Sequence, residues 1–468
     1  MFEGTPAGTR PLDALKEVAK MSSAWGIRST GALLLSSMVA VSLALSGCVG
    51  PSMNQDGPPG GGNWASGPGT AADGEVDGPS PEQQREAALD AATTAAAQYD
   101  YSTALKQLKD LEGEDVSELT GKIAAQQEKM VTWEDNSQIS HLFFHSLIVD
   151  PKRAFAPGPS AQGYADYMVT VKEFKAILSS LYKRGYVLVN PHDIARENAD
   201  GEMEYRPIKL PKGKKPLVLS EDDVSYYEYM DGDGFATNLT VDEDGNITNT
   251  YQAASGKTVH GDYDLPTIVD AFVREHPDFS YRGSKGILAL TGYNGLLGYR
   301  TSEIEYGDDP KIDVKAQTKK AKKVAGALKD NGWVFASHTW GHSNVTNSTM
   351  ARLKADTKKW DREVRPILGD TDLLIFPFGA DMSGIATYSG AKYKLFKKAG
   401  FDFYFGIDTS TPAWMQLTDD YLRQARINVD GLSMNAALKG KHHVLEKFFD
   451  VKKVIDPARP QHATKDDG

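Results

Sequence analysis

Three short stretches of this chain gather side chains able to do hydrolytic chemistry. Ser220-Glu221-Asp222-Asp223 directly follows the apolar run Leu217-Val218-Leu219. Adjacent carboxylates at a strand end point in different directions, so they suit two different roles. Ser337-His338-Thr339-Trp340-Gly341-His342 follows Trp333 to Ala336. Histidines at i and i+4 converge where a strand turns into a helix or loop, a usual spacing for chelating a metal. Phe376-Pro377-Phe378-Gly379-Ala380-Asp381 is an apolar strand broken by Pro and Gly. Each stretch alone also has a plain structural reading: a solvated turn, an incidental histidine pair, a Pro-Gly corner. In this order, each at the end of a buried strand, they point to chemistry, because barrel-like folds build their sites at the C-terminal ends of strands.

The elements that must position these residues begin at about Ser140, where short strands alternate with amphipathic helices. His141 to Val149, Tyr186 to Val189, Leu217 to Leu219, Ile287 to Leu290, Trp333 to Ala336, Leu373 to Phe376 and Phe403 to Phe405 read as strands. Thr170-Val171-Lys172-Glu173 is a capping box that opens a helix with Phe174, Ile177, Leu178 and Leu181 on its apolar face, and Gly185 ends it. Met350, Leu353, Trp360 and Val364 form a second helical stripe. Repeated strand-helix alternation predicts parallel strands with crossover helices. About seven strands suit an incomplete α/β barrel better than an open sheet with two covered faces. The stretch 226–263 breaks the rhythm: it is polar, rich in Gly, Asp and Thr, and reads as an inserted hairpin beside the site. Its spaced aspartates do not make a calcium loop, because counting from Asp242 the sixth residue is Ile247 and the twelfth Ala253, where Gly and Glu are required. Asn238-Leu239-Thr240 needs no glycan.

The N-terminal part has a different texture. Arg28 precedes an apolar run from Gly31 to Leu45, too short for a comfortable membrane span. That run ends in Leu45-Ser46-Gly47-Cys48, which resembles a bacterial lipobox, and Cys48 is the only cysteine of the chain. The expectation is a lipoprotein signal peptide over residues 1–48, with Met21 a plausible start. Cys48 would then be lipidated and the protein held at the cell membrane, outside the cytoplasm. Residues 49–81 are Gly, Pro, Ser and Asp with almost no bulky apolar side chain, hence a flexible tether. Residues 82–135, rich in Ala, Gln, Glu and Lys, predict two or three short helices as a spacer or cap. Tyr99 to Leu111 weakly resembles half a tetratricopeptide repeat, but no second copy follows.

With 468 residues and a net charge of −11, the chain is long enough for two or three domains and lacks the basic footprint that nucleic-acid phosphates demand. A single cysteine rules out an internal disulfide framework.

The ordered motifs resemble carbohydrate esterase family four, the NodB-homology polysaccharide deacetylases. Their Thr-Phe-Asp-Asp is matched by Ser220-Glu221-Asp222-Asp223, their His-Ser/Thr-x-x-His by His338-Thr339-Trp340-Gly341-His342, and their Tyr-Pro-Tyr-Gly by Phe376-Pro377-Phe378-Gly379. Upstream, Leu142-Phe143-Phe144-His145-Ser146-Leu147 is similar to the Met-Tyr-His opening of the poly-N-acetylglucosamine deacetylase branch. The resemblance covers about residues 140–430, leaving 431–468 as a C-terminal tail. It implies a deformed (β/α)7 barrel preceded by the small helical segment. It further implies Asp223, His338 and His342 as ligands of a divalent metal, most readily Zn²⁺, with Asp222 as general base and His145 as the acid for the leaving amine. A backbone N–H near Phe378, beside Pro377, would serve the oxyanion. The implied substrate is an N-acetylated polysaccharide, either peptidoglycan or an exopolysaccharide.

Departures from the family pattern are informative. Glu221 stands where an aromatic residue is usual and Val224 where Gly is usual. Leu374 occupies the place of the arginine in the family's Arg-x-x-Pro form, and Arg426 is the candidate to pair with Asp222 in its stead. Trp340, Tyr226, Tyr227 and Tyr293 are candidates for stacking on sugar faces, with packing as the alternative. His192 reads as a helix-start residue, and His442 and His443 as surface residues. Two other functions fit the same residues: a non-catalytic glycan-binding lipoprotein on a degenerate barrel, and a metal-dependent hydrolase of another amide.

Overall fold

The computed structural model describes residues 80–460, and the chain divides into two compact units, residues 1–84 and 85–468. The expected signal peptide, Cys48 and nearly all of the expected tether lie outside the described residues. Of the first unit only 80–84 are described, and they open a helix, α1 (Pro81–Ala97). Among the described residues no helix is long and apolar enough to cross a membrane.

In the second unit α2 (Tyr101–Leu108) and α3 (Glu114–Gln127) follow α1. The Asp100 carboxylate caps α2 by accepting the Thr103 N–H. Ala92, Ala96, Tyr101, Ala104, Leu108, Val116 and Ile123 make a small core shared by the three helices. The chain then enters the barrel through a short strand, Met130–Thr132, paired antiparallel with Lys209–Pro211.

Seven parallel strands close into a ring: β1 (Ser140–Phe144), β2 (Lys215–Glu221), β3 (Gly286–Leu290), β4 (Trp333–Ser337), β5 (Leu373–Ile375), β6 (Phe403–Ile407) and β7 (Leu422–Asn428). β1 lies between β7 and β2, and β2 meets β3, so the circuit has no free edge. The ring is uneven. β3 and β4 share five registered pairs, whereas β4 and β5 share one, Ser337 with Leu374. That loose seam lies beside the strand that carries the first histidine.

Alternate residues face different layers, as strand geometry requires. Val218, Ile287, Ala289, Ala336, Ile375, Phe403 and Phe405 fill the inside of the ring. Leu217, Leu219, Leu288 and Leu290 face outward onto helices. One of those helices, α4 (Val171–Lys183), begins with the expected capping box between Thr170 and Glu173 and buries Phe174, Ile177, Leu178 and Leu181. Others are α5 (Leu265–Glu275), α6 (Val314–Asp330) and α7 (Met350–Glu363).

Three strand assignments differ from the sequence reading. Tyr186–Leu188 is a strand, but its ladder runs along the first half of β2, off the ring, with one further bridge from Leu188 to Ser280. The seventh barrel strand is instead β7, whose Arg423, Gln424 and Arg426 disguise it as polar loop. Gln424 and Arg426 are buried all the same, because the inside of the ring carries a hydrogen-bonded polar network in place of uniform apolar packing. The first strand also ends at Phe144, five residues short of the expected Val149, which leaves His145 at the start of a loop.

The inserted segment is a three-stranded antiparallel sheet (Ala236–Val241, Ile247–Gln252, Thr258–Gly261), one strand more than the expected hairpin. After β7, Asp430 caps α8 (Gly431–Leu438), and the chain runs on to bury Leu445, Phe448 and Phe449 in the layer between barrel and helices.

Candidate metal centre and active site

The three motifs come together at the C-terminal ends of β2, β4 and β5. The Asp222 N–H donates to Phe144 O at 2.9 Å and the Val224 N–H to Ala289 O at 3.1 Å, which fixes the turn after β2 between the ends of β1 and β3. Asp223, between them, has φ 62°; Thr339 has 58°, His342 47° and Phe378 61°. Left-handed backbone costs a non-glycine residue about 1–3 kcal/mol and persists where surrounding structure over-determines it. All three motifs carry such a residue.

Three consecutive acids take three directions. Glu221 follows the outward parity of Leu217 and Leu219 and lies buried against Asp264, at the start of α5. Burial first, and the Asp264 charge next, push its carboxyl well above the usual carboxylate range, and it is turned away from the histidines. Asp222 points to Arg426, whose guanidinium donates two hydrogen bonds of 2.6 and 3.0 Å to its two oxygens. Burial alone would raise the Asp222 carboxyl; Arg426, followed by His338, more than offsets it and holds the group well below its ordinary value. Asp223 faces the histidine pair, with its Oδ2 3.8 Å from His342 Nε2.

His338 donates from Nδ1 to the Ile375 carbonyl at 2.9 Å, which leaves Nε2 to face the site; that atom lies 3.9 Å from Asp222 Oδ2. His342 is pushed down to about 4 by burial, against the pull of the Asp223 charge, and is therefore neutral at pH 7. The Phe378 ring packs edge-on against His342 with centroids 4.4 Å apart, held by the turn Pro377–Gly379. One ligand atom each from Asp223, His338 and His342 lie within 4.8 Å of one another. Two imidazoles and a carboxylate, one imidazole oriented by a backbone carbonyl, could hold a metal ion. His145 is half-buried just after the end of β1, its ring edge-on to Phe143 with centroids 5.9 Å apart.

Several supporting residues escaped sequence reasoning. His141, fully buried inside the ring, lies 3.1 Å from Gln424 Oε1 and 2.8 Å from Ser220 Oγ. Gln424 spends its amide N–H on Ile139 O, so its oxygen must accept from His141 Nδ1. His141 Nε2 then accepts from the Ser220 hydroxyl, and Ser220 Oγ accepts from Arg426 at 3.3 Å. The chain of donors has one direction: it starts on the guanidinium that holds Asp222 and ends on the Ile139 carbonyl. In the sequence only the polar residues Arg423, Gln424 and Arg426, set among apolar neighbours, hinted at it.

Two aromatic candidates are corrected. Trp340 is 5% exposed, donates from its indole to Glu363 at 2.9 Å and is covered by Lys359, so no face is open to a sugar. Tyr226 is buried and bonded to Asn249. Tyr227 is also buried, its hydroxyl on Asp223, while Tyr293 is half-buried beside it. Away from the centre, His192 begins a short helix and pairs with Asp372 at 3.0 Å. His443 is exposed with Glu446 as partner, and His442 is half-buried near Asp430.

A family model described as polysaccharide deacetylase matches residues 312–404, the segment holding both histidines and Pro377-Phe378-Gly379. No curated protein matches the chain. Among solved structures, the Streptococcus pyogenes deacetylase PplD in complex with acetate is similar at 12% identity, over 65% of this chain and 94% of its own, with a TM-score of 0.34.

Proposed function

We propose that this protein is a metal-dependent deacetylase that hydrolyses N-acetyl groups of a GlcNAc-containing polysaccharide at the cell surface. The observation that carries the reading is the pairing of two carboxylates with separate duties: Asp223 beside His338 and His342, and Asp222 clamped by Arg426 a residue away. Asp223, His338 and His342 would hold a divalent ion, most readily Zn²⁺, which when bound would supply Lewis acidity to the acetyl oxygen and to a water.

The chain's own residues do the rest. Asp222, kept ionised by Arg426, accepts the proton of the attacking water. The backbone N–H of Phe378 donates to the oxygen that becomes negative in the tetrahedral state, and Pro377 shapes the turn that presents it. His145 donates a proton to the departing sugar amine, without which amide cleavage would expel a very poor leaving group. Cys48, as a lipid attachment point, would keep the catalytic unit near a bacterial envelope polymer.

Acetate release from an N-acetylglucosamine oligomer tests the reading, with added Zn²⁺, with chelator, and in Asp222→Asn. Metal-dependent release that is lost in the variant is the expected result. Bound metal with no release from any acetylated glycan would sink the polysaccharide assignment in favour of another amide. A protein that binds glycan but no metal would favour the non-catalytic alternative.

A further inference from the structure

Asp223 uses only one of its oxygens toward the histidines. The other, Oδ1, accepts a hydrogen bond of 2.6 Å from the Tyr227 hydroxyl. A carboxylate has no proton to give, so the Tyr227 hydrogen is committed to it. Tyr227 Oη lies 2.9 Å from Thr291 Oγ1, which lies 3.0 Å from Ser225 Oγ. With the tyrosine proton spent, Thr291 must donate to Tyr227 and is free to accept from Ser225. All three residues are buried. The Tyr227 ring is stacked between Tyr229 and Tyr293, with centroids at 5.6 and 5.5 Å and interplanar angles of 14° and 23°. Both the ring plane and the proton direction are thereby fixed. Asp223 and Tyr226, at φ 62° and 50°, hold the intervening backbone in a turn that an ordinary extended strand could not make.

We propose that Tyr227 is a positioning residue that restricts Asp223 to ligation through a single oxygen, Oδ2. A carboxylate free to rotate can bind a cation through both oxygens and occupy two of its positions. With Oδ1 engaged by Tyr227, Asp223 takes one position, and the places needed by water and by the acetyl oxygen stay open. The inference rests on the metal-dependent reading above and specifies how that site keeps its open positions.

Cobalt(II) is the probe, because its d–d absorption reports coordination number directly. The full chain and Tyr227→Phe are titrated with Co²⁺, and the dissociation constant and visible spectrum are recorded beside acetate release. The expected variant binds about 10–100-fold more weakly, and its d–d bands lose intensity, as they do when coordination number rises. Thr291→Val, which keeps the tyrosine but removes its donor, moves both readouts the same way by less, and serves alone if Tyr227→Phe does not fold. A wild-type protein that takes up no cobalt overturns the metal-dependent reading, and this inference with it. Wild-type binding with an unchanged constant and spectrum in the folded variants overturns this inference alone.

Discussion

Arg426 holds Asp222 by both oxygens, at 2.6 and 3.0 Å, with its guanidinium lying over the Phe143 ring at 4.1 Å and no solvent exposure of its own. A planar fork donating to a carboxylate fixes orientation as well as charge. The proposed base is therefore held ionised and aimed at once, although burial alone would favour its neutral form.

The consequence for catalysis is specific. Arg426→Lys keeps a positive charge but loses the fork, and kcat should fall by about 10²-fold or more, within the range general-base catalysis contributes. Arg426→Met removes the charge as well. Burial then acts on Asp222 against the weaker pull of His338, so the acidic limb of the kcat/KM profile should move to higher pH. An unmoved limb in Arg426→Met would show that Arg426 does not set the ionisation of the base.

His141 makes stability depend on pH. Burial first, and the Arg426 charge next, push its imidazole well below the ordinary 6.5. An unfolded chain begins to bind that proton as the pH drops through about 6.5, while the folded chain does not, so the unfolded state binds more protons. The contribution of His141 is complete above pH 6.5 and is lost progressively below it, at up to about 1.4 kcal/mol per pH unit. Urea unfolding of metal-free protein between pH 7 and 5 should show this slope. His141→Gln, less stable at pH 7, should have a shallower one, and an equal slope in both proteins would remove His141 as the cause.

The alternation of strands and helices, the capping box at Thr170 and the order of the motifs were legible in the sequence because each is a local pattern. β7 was not, since its inward Gln424 and Arg426 hydrogen-bond across the ring, to Ile139 O and the Ser220 hydroxyl, and so violate the rule that a buried strand reads as apolar. Tyr186–Leu188 failed in the opposite way: its apolar run is that of a barrel strand, but which neighbour a strand joins is decided by tertiary pairing. At the site, residue types and spacing pointed to the carboxylates and histidines. Glu221 shows what spacing omits. Only the parity of β2 reveals that it faces the helical layer and Asp264 instead of the histidines.

Trp340 separates packing from recognition. Its indole N–H bonds to Glu363, which also accepts from the Ser302 hydroxyl and the Ile304 N–H. Trp340→Phe keeps most of the apolar surface but leaves one bond to a largely buried carboxylate unmade, a loss of about 1–3 kcal/mol. The midpoint of urea unfolding should fall while KM for an N-acetylglucosamine oligomer stays within about twofold of wild type. A large rise in KM without a change in stability would return Trp340 to the substrate.

The final prediction concerns how the chain beyond the barrel secures the loop after β1. Arg459 is buried and donates to both oxygens of Glu173, at 2.9 and 2.6 Å, and to the carbonyls of Ala165 and Met168, at 2.6 and 2.8 Å. Glu173 also closes the capping box of α4 by accepting the Thr170 N–H, and it accepts the Asp456 N–H. One ion pair therefore joins the start of α4, the segment before it and residues some 280 positions later, as the 286-residue separation of Arg459 and Glu173 states. Removing one partner of a buried pair leaves the other charged and unsolvated, at a cost of about 3–5 kcal/mol, whereas replacing both with apolar groups often costs far less. Arg459→Met should thus destabilise strongly in urea. Arg459→Met with Glu173→Leu should recover part of that loss, limited by the caps that Glu173 no longer provides. Lys172, exposed and 3.4 Å from Asp456, is the surface comparison, and its change to Ala should alter stability by less than about 0.5 kcal/mol. If Arg459→Met behaves like Lys172→Ala, the clasp does not hold the barrel.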